Sequence, residues 1–237
     1  MAHLLEQRYR AVWERTKNRD HLSGADVAAS RFYFEFKDGP PVPRRFDTYA
    51  IVCGLPFQPQ MQRALHSYWR RYLATLSSPL AYGVEPANLH TEIFLFQRPE
   101  ETFGKEQVDA AIAESLTVLR EMSLFRLIFR HPFITPDGTI VAPGYDEPAG
   151  VVEALRMKLR ENLQIYPKKQ SQWVHVSLGR ILEPVDQKQW RSLLEEMDLH
   201  WGEIVGEAEI GDCQVLWEKQ WYMMEREQLH RVAFKAG

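Results

Sequence analysis

Apolar and polar positions alternate along this chain in two different periods. Over residues 3–17, Leu4, Leu5, Tyr9 and Val12 fall near one face with charges elsewhere, which predicts a helix. Residues 31–36 (Arg-Phe-Tyr-Phe-Glu-Phe) predict a strand, followed by the turn Asp38-Gly-Pro-Pro. Residues 48–55 predict a core strand closed by Pro56, and residues 58–77 a helix on which Met61, Leu65, Trp69 and Leu73 recur every four residues. A strand at 89–96 and an amphipathic helix at 105–121, lined by Val108, Ile112, Leu116 and Leu119, come next. Residues 124–134 and 138–142 predict a hairpin around Pro136-Asp137-Gly138. A helix over 148–163, a strand over 173–182, a helix over 186–197 and strands over 204–218 and 228–235 complete the pattern.

Helices that alternate with strands and hairpins predict a two-layer or sandwich-like arrangement of helices and partly antiparallel sheets, and the fold class expected is α+β. No Gly-rich turn follows the first strand, which excludes a dinucleotide-binding unit. The order strand, helix, histidine-bearing strand occurs once around His90 and again around His175, a loose two-fold echo. Residues 1–45 read as an N-terminal extension packed on a main domain of residues 46–237.

Composition narrows this little. The chain has 237 residues, 45% of them hydrophobic and 26% charged, enough for one sizeable core. Its formal net charge of −3 gives no global basic field for nucleic acid, so such a substrate would be met by local basic groups. The two cysteines, Cys53 and Cys213, have no disulfide or zinc spacing, and Cys53 reads as a small buried hydrophobe. No apolar run is long enough to span a membrane, and charges interrupt the first ten residues, so the expected location is the cytoplasm and no membrane partner is expected.

The chemistry concentrates in two segments, Asn88-Leu89-His90-Thr91-Glu92 and Trp173-Val174-His175-Val176-Ser177-Leu178-Gly179-Arg180. Strand side chains alternate faces, so His175, Ser177 and Gly179 are expected on one face, with His90 and Glu92 as the matching pair. An imidazole titrates near neutral pH and moves protons, and a hydroxyl two positions on can bond a phosphate oxygen from the same face. Two such strands make a cradle in which one histidine activates an attacking oxygen and the other protonates the leaving oxygen. Arg180 is a candidate substrate contact, set against a surface ion pair. Tyr49, Tyr145 and Trp173 are candidates for base stacking, set against the core role aromatic strand residues more often have. His131 reads as structural, and Arg63, Arg70 and Arg71 as a solvated helix face. No histidine pair has the helical spacing of a zinc hydrolase, so no metal is expected.

His175-Val176-Ser177-Leu178, continued by Gly179-Arg180, resembles the His-x-Thr/Ser-hydrophobic signature of the 2H phosphoesterase superfamily, which includes 2′-5′ RNA ligase and cyclic phosphodiesterase proteins. Asn88-Leu89-His90 resembles the lead-in to the first copy of that signature. The likeness covers roughly residues 47–235. It implies two pseudo-symmetric lobes of antiparallel sheet, with helices outside and a cleft between. It also implies a metal-independent phosphodiesterase, without cofactor, acting on a cyclic phosphate, a 2′-5′-linked nucleotide or an RNA end. The alternative is a catalytically impaired protein of the same fold that binds nucleotides or RNA ends.

Glu92 departs from the signature, which has Thr or Ser there. A carboxylate about 4 Å from a unit phosphate charge repels it by roughly 1 kcal/mol in water and 4 at intermediate screening. Glu92 could pair with a basic residue, Thr91 could turn inward through a β-bulge, or the substrate could differ. A carboxylate beside His90 would also raise its pKa, biasing His90 toward the acid role and His175 toward the base.

Overall fold

The computed structural model describes residues 2–37, 39–77 and 79–235. In chain order the elements are α1 (Ala2–Lys17), α2 (Gly24–Arg31), β1 (Phe34–Glu35), β2 (Val42–Pro43), β3 (Arg45–Cys53), α3 (Pro59–Leu73), β4 (Ala81–Gly83), β5 (Thr91–Gln97), α4 (Lys105–Arg120), β6 (Phe125–Arg130), β7 (Phe133–Ile134), β8 (Thr139–Glu147), α5 (Val151–Asn162), β9 (His175–Ile181), α6 (Gln187–Leu199), β10 (Ile204–Ile210), β11 (Asp212–Gln220) and β12 (Glu225–Ala233). The main sheet runs β10-β6-β8-β9-β5-β3-β11-β12 with antiparallel neighbours throughout. It divides between β9 and β5 into two four-stranded halves, the lobes expected of the fold.

Burial explains the layering. Ile51, Cys53, Phe94, Val176 and Leu178 point to the side covered by helices, where they meet Leu65 and Trp69 of α3, Val108 and Ile112 of α4 and Leu155 and Leu159 of α5. A smaller apolar cluster, Ala50, Val52, Leu55, Leu95, Leu216 and Met223, lies apart from it. Helix α3 presses closely on the sheet at Gly179. A Cβ there would collide with the Tyr82 carbonyl and the Trp69 indole.

Three expected elements differ. Residues 31–36 are not one strand. A capping box at Ser23 and Asp26 starts α2, which runs through Arg31 and leaves only Phe34–Glu35 to pair with β2. The hairpin arm at 124–134 breaks at His131–Pro132 into β6 and β7, both paired with β8. The strand expected over 204–218 is cut at Gly211, and its halves β10 and β11 lie in opposite lobes. The N-terminal helix is docked by Tyr9, whose buried hydroxyl bonds the Gly144 carbonyl at 2.9 Å and accepts from the Val174 N–H at 3.1 Å. Among the described residues no helix is long and apolar enough to cross a membrane.

Candidate active site

The two central strands meet through Thr91 and Val176, which face each other across the antiparallel pair. Extending that register sets His90 opposite Ser177 and Glu92 opposite His175. Facing residues in such a pair have Cβ atoms about 4.5–5.5 Å apart. His90, Glu92, His175, Ser177 and Arg180 all line one cleft of about 90 Å³ between the lobes. A larger hollow of about 480 Å³, beyond Leu216 and lined by Phe57, Met61 and Arg226, contains neither histidine.

The lining depends on a matched pair of β-bulges. On β9, Ile140 faces Gly179 but Val141 faces Ser177, so Leu178 is the extra residue. On β5, Val52 faces Glu92 but Ile51 faces Phe94, so Ile93 is the extra residue. Each bulge moves the next cleft-facing position on by one. The cleft therefore receives residues 175, 177 and 180 from one strand and 90, 92 and 95 from the other. Strict alternation places Gly179 on the cleft face. The bulge puts Arg180 there instead, and its counterpart across the pseudo-two-fold is Leu95.

Arg180 is held from several sides. Its Nε donates to the Tyr222 hydroxyl at 2.5 Å, its Nη1 donates to Ser30 Oγ at 2.9 Å, and Asp137 lies 3.7 Å away. With Ser177 it gives β9 the hydroxyl and the guanidinium of the cleft lining. The β5 side holds two carboxyls, Glu92 and Glu218, among the apolar Ala50, Val52, Leu95 and Met223. Burial pushes Glu218 up to about 8, and Glu92 beside it pushes in the same direction. Burial also raises Glu92, although Arg156 and Arg98 pull it back. Tyr222 and Met223, at φ of 61° and 58°, fold the β11–β12 turn over the cleft in the left-handed region that side chains rarely adopt. The Met223 N–H there donates to Glu218 at 2.9 Å.

The His90 Nδ1 lies 2.7 Å from the Asn88 carbonyl oxygen. A carbonyl cannot donate, so Nδ1 carries the proton and a neutral ring has its lone pair on Nε2. Asn88 is fixed in turn by Arg226, which donates to its side-chain oxygen at 2.7 Å. Burial lowers the His90 pKa, and the Arg226 charge works in the same direction. Burial likewise lowers His175, to about 4, helped by Arg156 and by His90 itself. Both rings are thus neutral near pH 7. At His175 the unfolded chain binds more protons than the fold between about pH 6.5 and 4, so stability falls as pH drops through that window, and His90 acts in the same direction.

These observations correct the account of Glu92. Among the described residues it forms no ion pair, and the His90 pKa is lowered by burial rather than raised by a neighbouring carboxylate. The nearest guanidinium, that of Arg156, is spent on backbone: Nε donates to the Ile93 carbonyl at 2.8 Å, and Nη2 to the Glu92 and Trp173 carbonyls at 3.1 and 2.8 Å. The bulge is at Ile93, so Thr91 does not turn inward and stays fully buried on the far face.

Three further candidates lie elsewhere. Tyr49 is on the helix-covered face of β3, stacked on Trp217 at 5.8 Å. Tyr145 belongs to β8 rather than to a turn, and its hydroxyl donates to Glu6 at 2.6 Å under the Arg130 guanidinium. Trp173 packs against Tyr9 and Phe133 and turns its edge toward His175 at 5.7 Å. Pattern reading passes over Arg156, Glu218, Trp221, Tyr222 and Met223. The run Trp221-Tyr222-Met223-Met224 in a hairpin turn, where polar residues are the rule, is the signal that could have found the last three. Among the described residues no three His, Cys, Asp or Glu side chains are grouped to hold a metal ion.

By sequence the chain matches no family model and no curated protein. Its architecture does match solved structures. Escherichia coli LigT complexed with 3′-AMP superposes with a TM-score of 0.54 at 12% identity, covering 80% of this chain and 98% of that one. The chain has the LigT-like fold. LigT complexed with phosphate gives a TM-score of 0.53 at 14% identity, with 81% and 99% covered. The Thermus thermophilus protein TT0787 gives 0.51 at 14%, with 80% and 98% covered. These neighbours are members of the 2H phosphoesterase superfamily. At such identity the likeness is one of fold, and the LigT-like architecture sets His90 immediately before β5 and His175 at the start of β9, its two central strands.

Proposed function

We propose that this protein is a phosphodiesterase that opens a cyclic phosphate or cleaves a 2′-5′-linked nucleotide or RNA end, with His90 and His175 as base and acid. The observation that carries this is the shared cleft, where two histidines from adjacent strands flank Ser177 and Arg180. LigT, which shares the fold, has been crystallised with phosphate and with 3′-AMP. Ser177 and Arg180 hold the phosphate. His90, with Nε2 unprotonated, takes a proton from the attacking water as its oxygen bonds to phosphorus. The leaving oxygen departs with the electrons of the broken P–O bond and takes a proton from His175. This order reverses the one expected from Glu92. Incubation of the pure protein with 2′,3′-cyclic nucleotides and 2′-5′-linked dinucleotides, with and without a chelator, tests the reading. Product formation insensitive to the chelator supports it, and absence of product from both classes overturns it.

Two results follow from the electrostatics. The resting histidines are neutral, yet the acid step needs a proton. A bound phosphate anion favours imidazolium, so binding of 3′-AMP near pH 7 takes up protons. Calorimetry in two buffers of different ionisation heat measures the uptake, and a value of zero rules this account out. The second concerns Glu92. Burial raises its pKa, and a carboxyl in its protonated form can donate to a phosphate oxygen as the hydroxyl of the signature would. Glu92→Gln keeps a donor and should hold phosphate affinity within about fivefold at pH 7, since neutral hydrogen bonds are worth about 1 kcal/mol. Wild-type affinity should weaken at alkaline pH as Glu92 ionises, and the glutamine variant should weaken less. Equal alkaline weakening in both would remove Glu92 from the phosphate site.

A further inference from the structure

We propose that the aromatic and arginine side chains of residues 31–46 form a platform for a single-stranded oligonucleotide whose phosphate end occupies the cleft. The proposal rests on the phosphodiester reading of the cleft and extends it to a substrate class. An unbroken run of rings leads from the site to the surface. Trp221 lines the cleft, and Tyr33 stacks on it at 4.7 Å and 13°. Phe46 lies 6.0 Å from both Trp221 and Tyr33. Phe32 stacks on Phe46 at 5.7 Å and 26°. The outer rings are open to solvent, Phe32 being 45% and Phe36 37% exposed.

Cations accompany the rings. The Arg31 guanidinium lies 4.0 Å from the centre of the Phe36 ring, and that of Arg44 lies 5.9 Å from Phe32. Each gives a hydrogen bond to a main-chain carbonyl, Leu182 at 2.6 Å and Phe34 at 2.9 Å, and neither pairs with a carboxylate among the described residues. The other cations of the segment are occupied, Lys37 by Glu35 and Arg45 by Glu225. The Tyr33 hydroxyl donates to Glu100 at 2.5 Å, which turns that ring's edge, not its face, to an acid. Flat faces alternating with cations match a strand that alternates bases with phosphates. Continuity with the cleft sets the path. Arg180, which faces the phosphate position, lies 5.3 Å from the Tyr33 ring, so the chain leading away from that phosphate passes over Tyr33 toward Phe32.

The test compares a dye-labelled RNA octamer carrying a 3′-phosphate with 3′-AMP, by fluorescence anisotropy and competition, on the full-length protein. The octamer should bind at least tenfold tighter than 3′-AMP and lose affinity as salt rises. Phe32→Ala should weaken octamer binding about tenfold or more while leaving 3′-AMP affinity unchanged, and Phe32→Trp should retain it. An octamer no tighter than 3′-AMP would overturn the platform. So would a Phe32→Ala variant with wild-type octamer affinity, or a tryptophan variant as weak as the alanine one. If no cyclic or 2′-5′ substrate is turned over but Phe32→Ala still weakens the octamer, the platform stands and the phosphodiesterase reading falls.

Discussion

His175→Ala should lower turnover of a 2′,3′-cyclic nucleotide by about 10²–10⁴-fold, the usual contribution of a positioned acid or base. His90→Ala should cost a similar factor, and the double variant should be little worse than either single one, because the two rings serve one proton-transfer sequence. Both imidazoles border the cleft rather than the apolar core, so thermal unfolding of the variants should stay close to wild type. Steady-state kinetics with circular dichroism on the same samples separates the chemistry from the fold. A double variant with full activity would remove both histidines from the mechanism. Activity restored to the His90 variant by free imidazole would further mark His90 as a proton carrier.

The second large effect is expected at Arg156, a guanidinium only 1% exposed beneath the two strands. It supplies donors to three carbonyls, two at the β5 bulge and one just before β9. Arg156→Met strips those acceptors of their partners, at about 1–3 kcal/mol for each one left buried. Removing a buried charge recovers part of the loss, because the desolvation cost of the ion disappears. A net destabilisation of about 2–5 kcal/mol is expected in chemical denaturation. Arg156→Lys should recover only a fraction, since one ammonium cannot reproduce the planar fork. In the methionine variant the His175 pKa should rise, because the Arg156 charge, after burial, helps to hold it down. NMR titration of the imidazoles checks this. An unchanged His175 pKa together with unchanged stability would deny Arg156 any part in the site.

The histidine strands were readable because one carries the buried alternation Val174, Val176 and Leu178 and the other the buried apolar run Ile93-Phe94-Leu95-Phe96. The lobes were readable from the repeated order of elements. What escaped depends on partners distant in sequence. The bulges at Ile93 and Leu178 arise from the registers of β3–β5 and β8–β9, so strict alternation assigned Gly179 to a position that Arg180 takes. Glu218 enters the site because β11 pairs with β3, a strand from the other end of the chain that sets Thr48 opposite it. The break at Gly211 was invisible because both sides of it have strand character, and only the sheet order sends them to opposite halves of the sheet. The expectation that Glu92 would charge His90 weighed proximity and omitted desolvation, which dominates both groups.

The same break at Gly211 bears on how the protein is made. The lobe containing β3 and β5 is discontinuous in the chain, with the entire other lobe translated before β11 and β12 emerge. Until then β3 is an open sheet edge carrying Ala50 and Val52, the kind of apolar edge that invites association with other chains. A nascent chain that has just released β10 can hold both histidines and still lack Glu218, Trp221 and Tyr222. The cleft is therefore completed only after the β11–β12 hairpin leaves the ribosome, and chains stalled before that point are ones that chaperones would have to shield.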